Sequence, residues 1–480
     1  MIAPTDADAP LRTAPNEDEV VLELSMDAKP RLDQYSAPVC GMFMLNMVLG
    51  TGPMTLPYAF NQAGILLSAI FLGGMMSISY VTATYVVEGL ATADKLKAAR
   101  ANGLRPEDEN ARTLSGGNPD EARIETRSEF GDIAKEVFPS NLSWLAYLIV
   151  IVYAYGVLTV YVISGCESLS GVVGNIAGVD SYYIFLVIFA VIVTPVCLLD
   201  FQKTKPLQIF IGALRVTVVV VMMTVMIRFL ARSSEPITSR KWREIPLFRI
   251  EGLPSLFGNA AFTFMIHHSI PGLVFPLRRH ASSAKVIGTT YLGSYAIYMV
   301  LGLLALWSFG DEQWAKCPNT PSHPCEIQGL FNQNFASADW QWAAKFIVCY
   351  PVLVVSVFPL VAITLRNNLK AAFSAPQSAS SLDCRHLAFT LLTVAPPYIV
   401  ASLTKDVQVV LKYVGCYFGL GLMALVPALI VYFSRRQGVT STLVGSGLRS
   451  QFGKRAHIFG VLIAFAAAVI FSTVTFIIPA

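Results

Sequence analysis

The sequence predicts an all-α polytopic membrane protein with about eleven transmembrane helices. Of its 480 residues, 54% are apolar or aromatic (AVILMFWYC), only 14% are charged, and the mean hydropathy is +0.56. Soluble domains carry about 25% charged residues, so this composition excludes a soluble enzyme, a disordered protein and a nucleic-acid-binding protein. The net charge of +4 is too small to indicate a polyanionic partner. The lipid bilayer is therefore the expected surrounding of most of the chain.

The number of spans follows from length and hydropathy. A hydrocarbon core of about 30 Å requires roughly 20 mostly apolar residues per helix. The segments that meet this requirement lie near residues 38–60, 64–90, 143–165, 181–199, 206–230, 253–276, 286–309, 341–364, 386–403, 408–433 and 456–478. Together they predict one membrane domain over residues 38–480.

Two segments are polar enough to lie outside the bilayer. Residues 1–37 are acidic and lack a positive stretch followed by a short apolar run, so they are expected to form a disordered cytosolic tail rather than a cleavable signal peptide. Residues 91–142 are rich in Asp, Glu, Arg and Gly and have no sustained apolar period. They predict a flexible cytosolic loop that ends in a short amphipathic piece.

The distribution of Lys and Arg predicts the orientation. With the N-terminus in the cytosol, 24 of the 35 Lys and Arg residues fall in cytosolic segments, eight on the opposite side and three within spans. This bias predicts a cytosolic N-terminus and an extracellular or lumenal C-terminus, although a basic loop near residues 228–252 departs from it. No sorting signal separates the plasma membrane from the lysosome or another endomembrane.

The cysteines fit this orientation. Cys317 and Cys325 fall in the outer loop between spans seven and eight, where a disulfide is expected because that compartment is oxidising. Two free thiols at chance spacing are the alternative. No CxxC, HExxH or similar spacing is present, so no metal site and no bound cofactor are expected.

Two spans contain residues that break helices. The first span includes Gly50, Gly52, Pro53 and Pro57, and the sixth concentrates glycine, histidine, serine and proline over residues 258–276. Proline removes a backbone N–H and crowds the carbonyl four residues back. Interruptions at corresponding positions of two halves are the best indication in a sequence of a transporter binding site.

The halves are residues 38–230 and 253–433, with residues 456–478 as an additional helix. Because each half has an odd number of spans, the second half must enter the membrane from the opposite face. The count therefore predicts a five-plus-five inverted repeat plus one helix.

A broken helix can bind both charged groups of an amino acid without an ionised side chain. The N-terminal end of a half-helix suits a carboxylate, and the carbonyl end suits an ammonium group or a cation such as Na⁺. Neutral polar residues beside the breaks are the expected substrate ligands. They are Asn46, Gly50, Thr51, Gly52, Thr55, Asn259, Thr263, His268 and Ser269.

The sequence around the first break also resembles that of a known family. Residues 46–64, NMVLGTGPMTLPYAFNQAG, resemble the first-helix signature of the amino acid/auxin permease family within the amino acid–polyamine–organocation superfamily. The resemblance is closer to the transmembrane protein 104 family, through residues 199–209, 255–276, 358–368 and 396–436. It implies a LeuT-like fold and secondary amino acid transport. It places the Gly-Thr-Gly pattern on residues 50–52 and the family's sixth-helix histidine on His268.

Other polar residues within spans are candidates for coupling or gating. His268 could accept a proton or gate the site, or bond a carbonyl of the broken helix. Ser356 could help to bind Na⁺, or bond its own helix backbone. Arg215 could substitute permanently for Na⁺, although snorkelling to the cytosolic surface is favoured. We expect Glu88 to be exposed, with pairing to a basic loop residue as the alternative, and Arg366 to be a cytosolic anchor.

These observations favour a secondary active transporter of amino acids or similar small zwitterionic metabolites, coupled to Na⁺ or H⁺. A non-transporting amino acid sensor that uses the same pocket is the alternative. No nucleophile–base pair or metal constellation indicates an enzyme. The expected partners are the small-molecule substrate and the lipid bilayer, without nucleic acid, and the sequence indicates no protein partner.

Overall fold

The computed structural model describes residues 34–103, 123–198, 205–232, 247–309, 327–335, 340–355, 357–373, 384–436 and 444–477. Within these ranges every regular element is a helix, and two isolated bridges are the only β pairing. The helices of the first half are α1 (Ala37–Val48), α2 (Gly52–Ala63), α3 (Ile65–Ala101), α4 (Phe130–Val137), α5 (Ser143–Val173), α6 (Ser181–Val196) and α7 (Lys205–Arg232).

The second half again contains short, interrupted helices. Its members are α8 (Leu253–Thr263), α9 (Ile270–Val274), α10 (Ser283–Phe309), α11 (Gln341–Val348), α12 (Tyr350–Val355), α13 (Phe358–Ala372), α14 (Cys384–Leu403), α15 (Val407–Tyr413) and α16 (Val426–Arg436), and the additional helix is α17 (Arg455–Ile477). Two π-helical turns, Val414–Gly419 and Gly421–Leu425, join α15 to α16.

Eight helices of the described residues are long and apolar enough to cross a membrane, and nine when the bent pair α1–α2 counts as one span. The prediction of an all-α polytopic membrane protein is confirmed for this part of the chain. The count of eleven stays a prediction, because α6 has only 16 residues and α8–α9 are shorter still. The inverted repeat also stays a prediction.

The buried centre of the bundle is α5, which packs against α6, α13 and α14. The bent first span lies beside it, with α1 against α10 and α2 against α8. The last helix, α17, is peripheral and exposes most of its side chains. The two broken helices therefore meet near the middle of the protein, next to its most buried helix.

The segment predicted to be a flexible loop, residues 91–142, begins as helix, and this is a correction, whereas the short amphipathic piece predicted at its end coincides with α4. The second span continues as helix to Ala101 because its last turns are buried. The Asp94 carboxylate accepts hydrogen bonds from the backbone and hydroxyl of Thr126, each at 2.7 Å. Helix α4 buries its apolar face, including Phe130 and Ile133, against the bundle. Residues 104–122 lie outside the described part.

Candidate functional site

The first break separates α1 from α2 by residues 49–51 and bends the span by 54°. Carbonyl groups that leave the helix ladder here are satisfied by tyrosines. The Tyr298 hydroxyl of α10 donates to the carbonyl of Val48 at 2.6 Å. The Tyr350 hydroxyl of α12 donates to the carbonyls of Leu49 and Gly50 at 2.7 and 2.9 Å. Backbone without helical bonds is tolerated at this depth because protein groups replace those bonds.

The second break is a longer unwound segment, residues 264–269, between α8 and α9. The carbonyl of Phe264 accepts from the Tyr291 hydroxyl at 3.1 Å. His267 is fully buried, and its Nε2 lies 2.9 Å from the Thr82 hydroxyl of α3. The same hydroxyl lies 2.8 Å from the Ile78 carbonyl, so it links His267 to the backbone of α3. The segment is therefore held against α3.

A small cavity lies between the two breaks. Its space for water-sized molecules is about 20 Å³, enough for about one water. None of the described residues that line it is Asp, Glu, Lys or Arg. The lining residues are Met47, Val48, Gly50, Thr51, Gly52, Tyr153, Val157, Tyr161, Phe262, Thr263, Met265 and His268.

His268 is the side chain of the cavity with most unused hydrogen-bonding capacity. It is 6% exposed, and its ring centre lies 5.6 Å from that of Tyr153. Neither of its ring nitrogens has a hydrogen-bond partner among the residues that the structure describes, and the same holds for the Thr263 hydroxyl. An unsatisfied buried polar group costs about 1–3 kcal/mol. Two such groups at one cavity provide places for a ligand's polar atoms.

The structure divides the sequence-predicted substrate ligands into two groups. Gly50, Thr51, Gly52, Thr263 and His268 line the cavity. The other four do not line it: Asn46 bonds Arg215, the Thr55 hydroxyl bonds the Thr51 carbonyl, Asn259 bonds Ser255 and Gln408, and Ser269 directly precedes α9.

The residues of α5 that line the cavity were not predicted from the sequence. Tyr153 and Tyr161 are eight residues apart, so they lie on nearly the same face of the helix, two turns apart. Both line the cavity, with Val157 between them. Aromatic residues in an apolar helix are common in packed interiors. Only the eight-residue spacing of the two tyrosines could have indicated that both face one cavity.

Arg215 does not snorkel, and that prediction is wrong. The side chain is 1% exposed within α7. One terminal nitrogen donates to the Asn46 carbonyl and side-chain oxygens at 3.3 and 3.1 Å, and the other donates to the Leu353 carbonyl at 2.8 Å. The guanidinium remains buried because three oxygen acceptors replace its hydration. It joins α7 to the end of α1 and to α12.

Two other charged residues are also more buried than predicted. Glu88 is 0% exposed and pairs with Arg435. Arg366 is 4% exposed and donates to the carbonyl of Cys197 at 2.7 Å, beside His386 at 3.0 Å. Each charge is tolerated because a partner from a distant part of the chain is adjacent.

Some predicted residues cannot be placed. Ser356, Cys317 and Cys325 lie outside the described residues. In the described part of the chain, no group of three or more His, Cys, Asp or Glu residues could hold a metal ion.

Residues 118–478 match the model of a protein family described as transmembrane amino acid transporter protein. The chain belongs to this transmembrane amino acid transporter family. It is a multi-pass membrane protein, and the resemblance to the transmembrane protein 104 family is confirmed. The homolog from Dictyostelium discoideum is 28% identical over 486 residues, which cover 92% of this chain and 96% of the relative. Transmembrane protein 104 from Homo sapiens is 28% identical, with 87% and 90% covered.

A solved structure, MhsT in complex with L-phenylalanine, has a similar fold to this transporter family member. The TM-score is 0.50 at 12% sequence identity, and the match covers 92% of this chain and 99% of MhsT. The likeness shows a shared fold.

Proposed function

We propose that this protein is a secondary active transporter that binds an amino acid, or a similar small zwitterionic metabolite, between the two broken helices. The observation that carries the proposal is the cavity between the breaks, where His268 and Thr263 have no polar partner among the described residues. The family and the fold support the transporter class. Transport would proceed by alternating access of this site.

The lining favours a solute without net charge. The start of α2 at Gly52 presents the positive end of a helix dipole, which suits a carboxylate. The Gly52 N–H is the donor of this first turn, because Pro53 has no N–H and the Met54 N–H donates to the Thr51 carbonyl at 2.9 Å. With no Asp, Glu, Lys or Arg among the described lining residues, an ionised substrate side chain would have no counter-charge. Met47, Phe262 and Met265 supply apolar surface for a neutral side chain.

The small volume of the cavity between the breaks favours a closed conformation of the protein. A cavity that holds about one water has no room for an amino acid. Entry of substrate therefore requires movement of at least one broken helix. Such a movement would break the hydrogen bonds that Tyr298 and Tyr350 donate to backbone carbonyls at the first break.

Arg215 supports transport that does not depend on Na⁺. Its guanidinium occupies carbonyl and amide oxygens of α1 and α12, the kind of ligands that a Na⁺ ion would need. A permanent cation here would fix α7 to both helices without an ion from solution. Coupling would then fall to the proton gradient, with His268 as the cavity residue able to accept a proton.

Uptake into proteoliposomes tests the proposal. The purified full chain should accumulate a labelled neutral amino acid when a proton gradient is imposed, equally with and without Na⁺. His268→Ala should lower uptake by at least about tenfold, a loss of about 1.4 kcal/mol. His457→Ala is the matched control, because His457 is exposed and lies outside the cavity.

Substrate binding without flux under every imposed gradient would contradict transport and favour the sensor. Uptake unchanged by His268→Ala would contradict the site. A new Na⁺ dependence in Arg215→Gln is expected if the guanidinium stands in for an ion, and flux of the wild type that requires Na⁺ would contradict that role.

A further inference from the structure

A second, larger cavity lies where the candidate spans that contain α16 and α17 meet at their ends. Its volume is about 200 Å³, and it lies between the last turn of α16 and the first turn of α17. Three arginines line it, Arg435, Arg436 and Arg455, together with the aromatic rings of Tyr432 and Phe459. The bias of Lys and Arg predicts that this side is cytosolic.

The cavity has positive charge that is not neutralised within the described residues. None of the described lining residues is Asp or Glu. Arg436 and Arg455 are exposed, and no ion pair to a described carboxylate involves either of them. Helix α17 begins at Arg455, so the positive end of its dipole adds to this charge.

Arg435 lines the cavity and is held in place by hydrogen bonds. Its Nε and one terminal nitrogen donate to the two carboxylate oxygens of Glu88 at 2.8 and 2.7 Å. The same terminal nitrogen lies 3.1 Å from the Ser450 carbonyl. The other terminal nitrogen makes no hydrogen bond to a described residue, so its two N–H groups are available to a ligand. Guanidinium groups bind phosphate oxygens through such N–H pairs.

Backbone packing holds this guanidinium in place. Glu88 also accepts from the Ser450 N–H at 2.7 Å, which ties the segment before α17 to α3. A Cβ on Gly453 would lie 1.9 Å from the guanidinium carbon of Arg435. A side chain at this position would have to displace the guanidinium, because the backbone of Gly453 lies against it. The donor is therefore oriented before any ligand arrives.

The surface beside the cavity is apolar. Phe459 is 50% exposed, and Ile463, one turn further along the same face of α17, is 69% exposed. A soluble anion would use only the arginines, whereas a phospholipid would use both the arginines and this apolar face. Basic pockets between membrane helices on the cytosolic side bind anionic lipid headgroups.

We propose that this cavity binds the phosphorylated headgroup of an anionic phospholipid, whose acyl chains lie along α17. The arginines contact the phosphate oxygens, and Phe459 and Ile463 contact the chains. This site is separate from the cavity between the broken helices.

Binding of a short-chain lipid to the purified full chain in detergent tests the proposal. The probe is dioctanoyl phosphatidylinositol 4-phosphate, with dioctanoyl phosphatidylcholine and soluble inositol 1,4-bisphosphate as comparisons. Native mass spectrometry and the shift in Tm measure binding. Arg436→Gln combined with Arg455→Gln should raise the apparent Kd of the anionic lipid by about tenfold or more.

The matched control is Lys285→Gln combined with Lys454→Gln. Both lysines are exposed, both fall in segments that the bias of Lys and Arg predicts to be cytosolic, and neither lines the cavity. This pair removes the same charge and should change the Kd by less than about twofold. An equal loss in both variants, or equal binding of phosphatidylcholine, would overturn the site. Equally tight binding of the free headgroup would overturn the lipid as its ligand.

Discussion

Gly52 of α2 lies so close to Tyr298 of α10 that a Cβ on the glycine would be 2.3 Å from the tyrosine hydroxyl oxygen. The same hydroxyl holds the carbonyl of Val48 at the end of α1. One side chain therefore contacts both sides of the first break. The close approach requires glycine at position 52.

Gly52→Ala should disturb this contact. The added methyl group would displace the Tyr298 ring and weaken its bond to Val48, at a cost of about 1–3 kcal/mol. We expect lower Tm and at least about tenfold slower uptake. Gly74→Ala is the control, because nothing lies within 4 Å of a Cβ at Gly74. If both variants behave alike, the close packing at Gly52 is not important for transport.

Thr82→Val should loosen the second break. The substitution keeps the shape but removes the hydrogen-bond partner of the His267 Nε2. This nitrogen then has no partner in a buried site, at a cost of about 1–3 kcal/mol. We expect a lower Tm for Thr82→Val and nearly wild-type Tm for Thr82→Ser. The double variant Thr82→Val/His267→Leu should be less destabilised than the sum of the single variants. Additive effects in that cycle would show that the hydrogen bond does not couple the residues.

Removal of Glu88 and removal of Arg435 should destabilise the protein by different amounts. Glu88 is fully buried, whereas the Arg435 side chain is 31% exposed. Arg435→Ala leaves a buried carboxylate without its counter-ion, a change of the class that costs about 3–5 kcal/mol. Glu88→Ala leaves a guanidinium that water can reach, so its Tm should fall less. The reverse order in thermal unfolding would show that packing of the arginine stem dominates.

The pair of Asp180 and Lys405, outside the spans, should give a pH-dependent contribution. Hydrogen bonds from the Lys405 ammonium and the Tyr182 N–H lower the pKa of the Asp180 carboxyl. A lowered carboxyl pKa stabilises the fold above the unfolded-state pKa of about 3.9, and this stabilisation is lost as the pH falls through the folded value.

We therefore expect Lys405→Met to have a lower Tm than the wild type by a constant amount between about pH 7 and pH 5, with a difference that shrinks below about pH 4. Lys405→Arg is the control, because it retains the cation beside Tyr182 and Tyr183. A difference independent of pH down to the acid limit would assign the effect of Lys405 to its ring contacts.

The broken helices could be predicted from the sequence because a helix break is a local property. Gly50, Gly52 and Pro53 oppose helix wherever they occur, and the structure ends α1 at Val48. Part of the lining of the cavity between the breaks follows from the same residues, since Gly50, Thr51 and Gly52 line it.

Burial of charge could not be predicted, because it depends on partners far away in the chain. Glu88 is buried only because Arg435 and Ser450, more than 300 positions later, supply its hydrogen bonds. The free-energy cost of burying Arg215 could be predicted from the sequence. The oxygen atoms of Asn46 and Leu353 that accept its hydrogen bonds could not. Asn46 was assigned to the pocket because of its position, and it bonds that arginine instead.

The small volume between the breaks has a consequence for affinity. Because the cavity of about 20 Å³ must open before it can hold a solute, the apparent Kd of the proposed site is its intrinsic Kd divided by the fraction of molecules that are open. Solutes are then distinguished partly by how much opening each one requires. Substitutions outside the cavity lining, such as those that weaken the bonds of Tyr298 or Tyr350, can strengthen binding simply by making the open form more common.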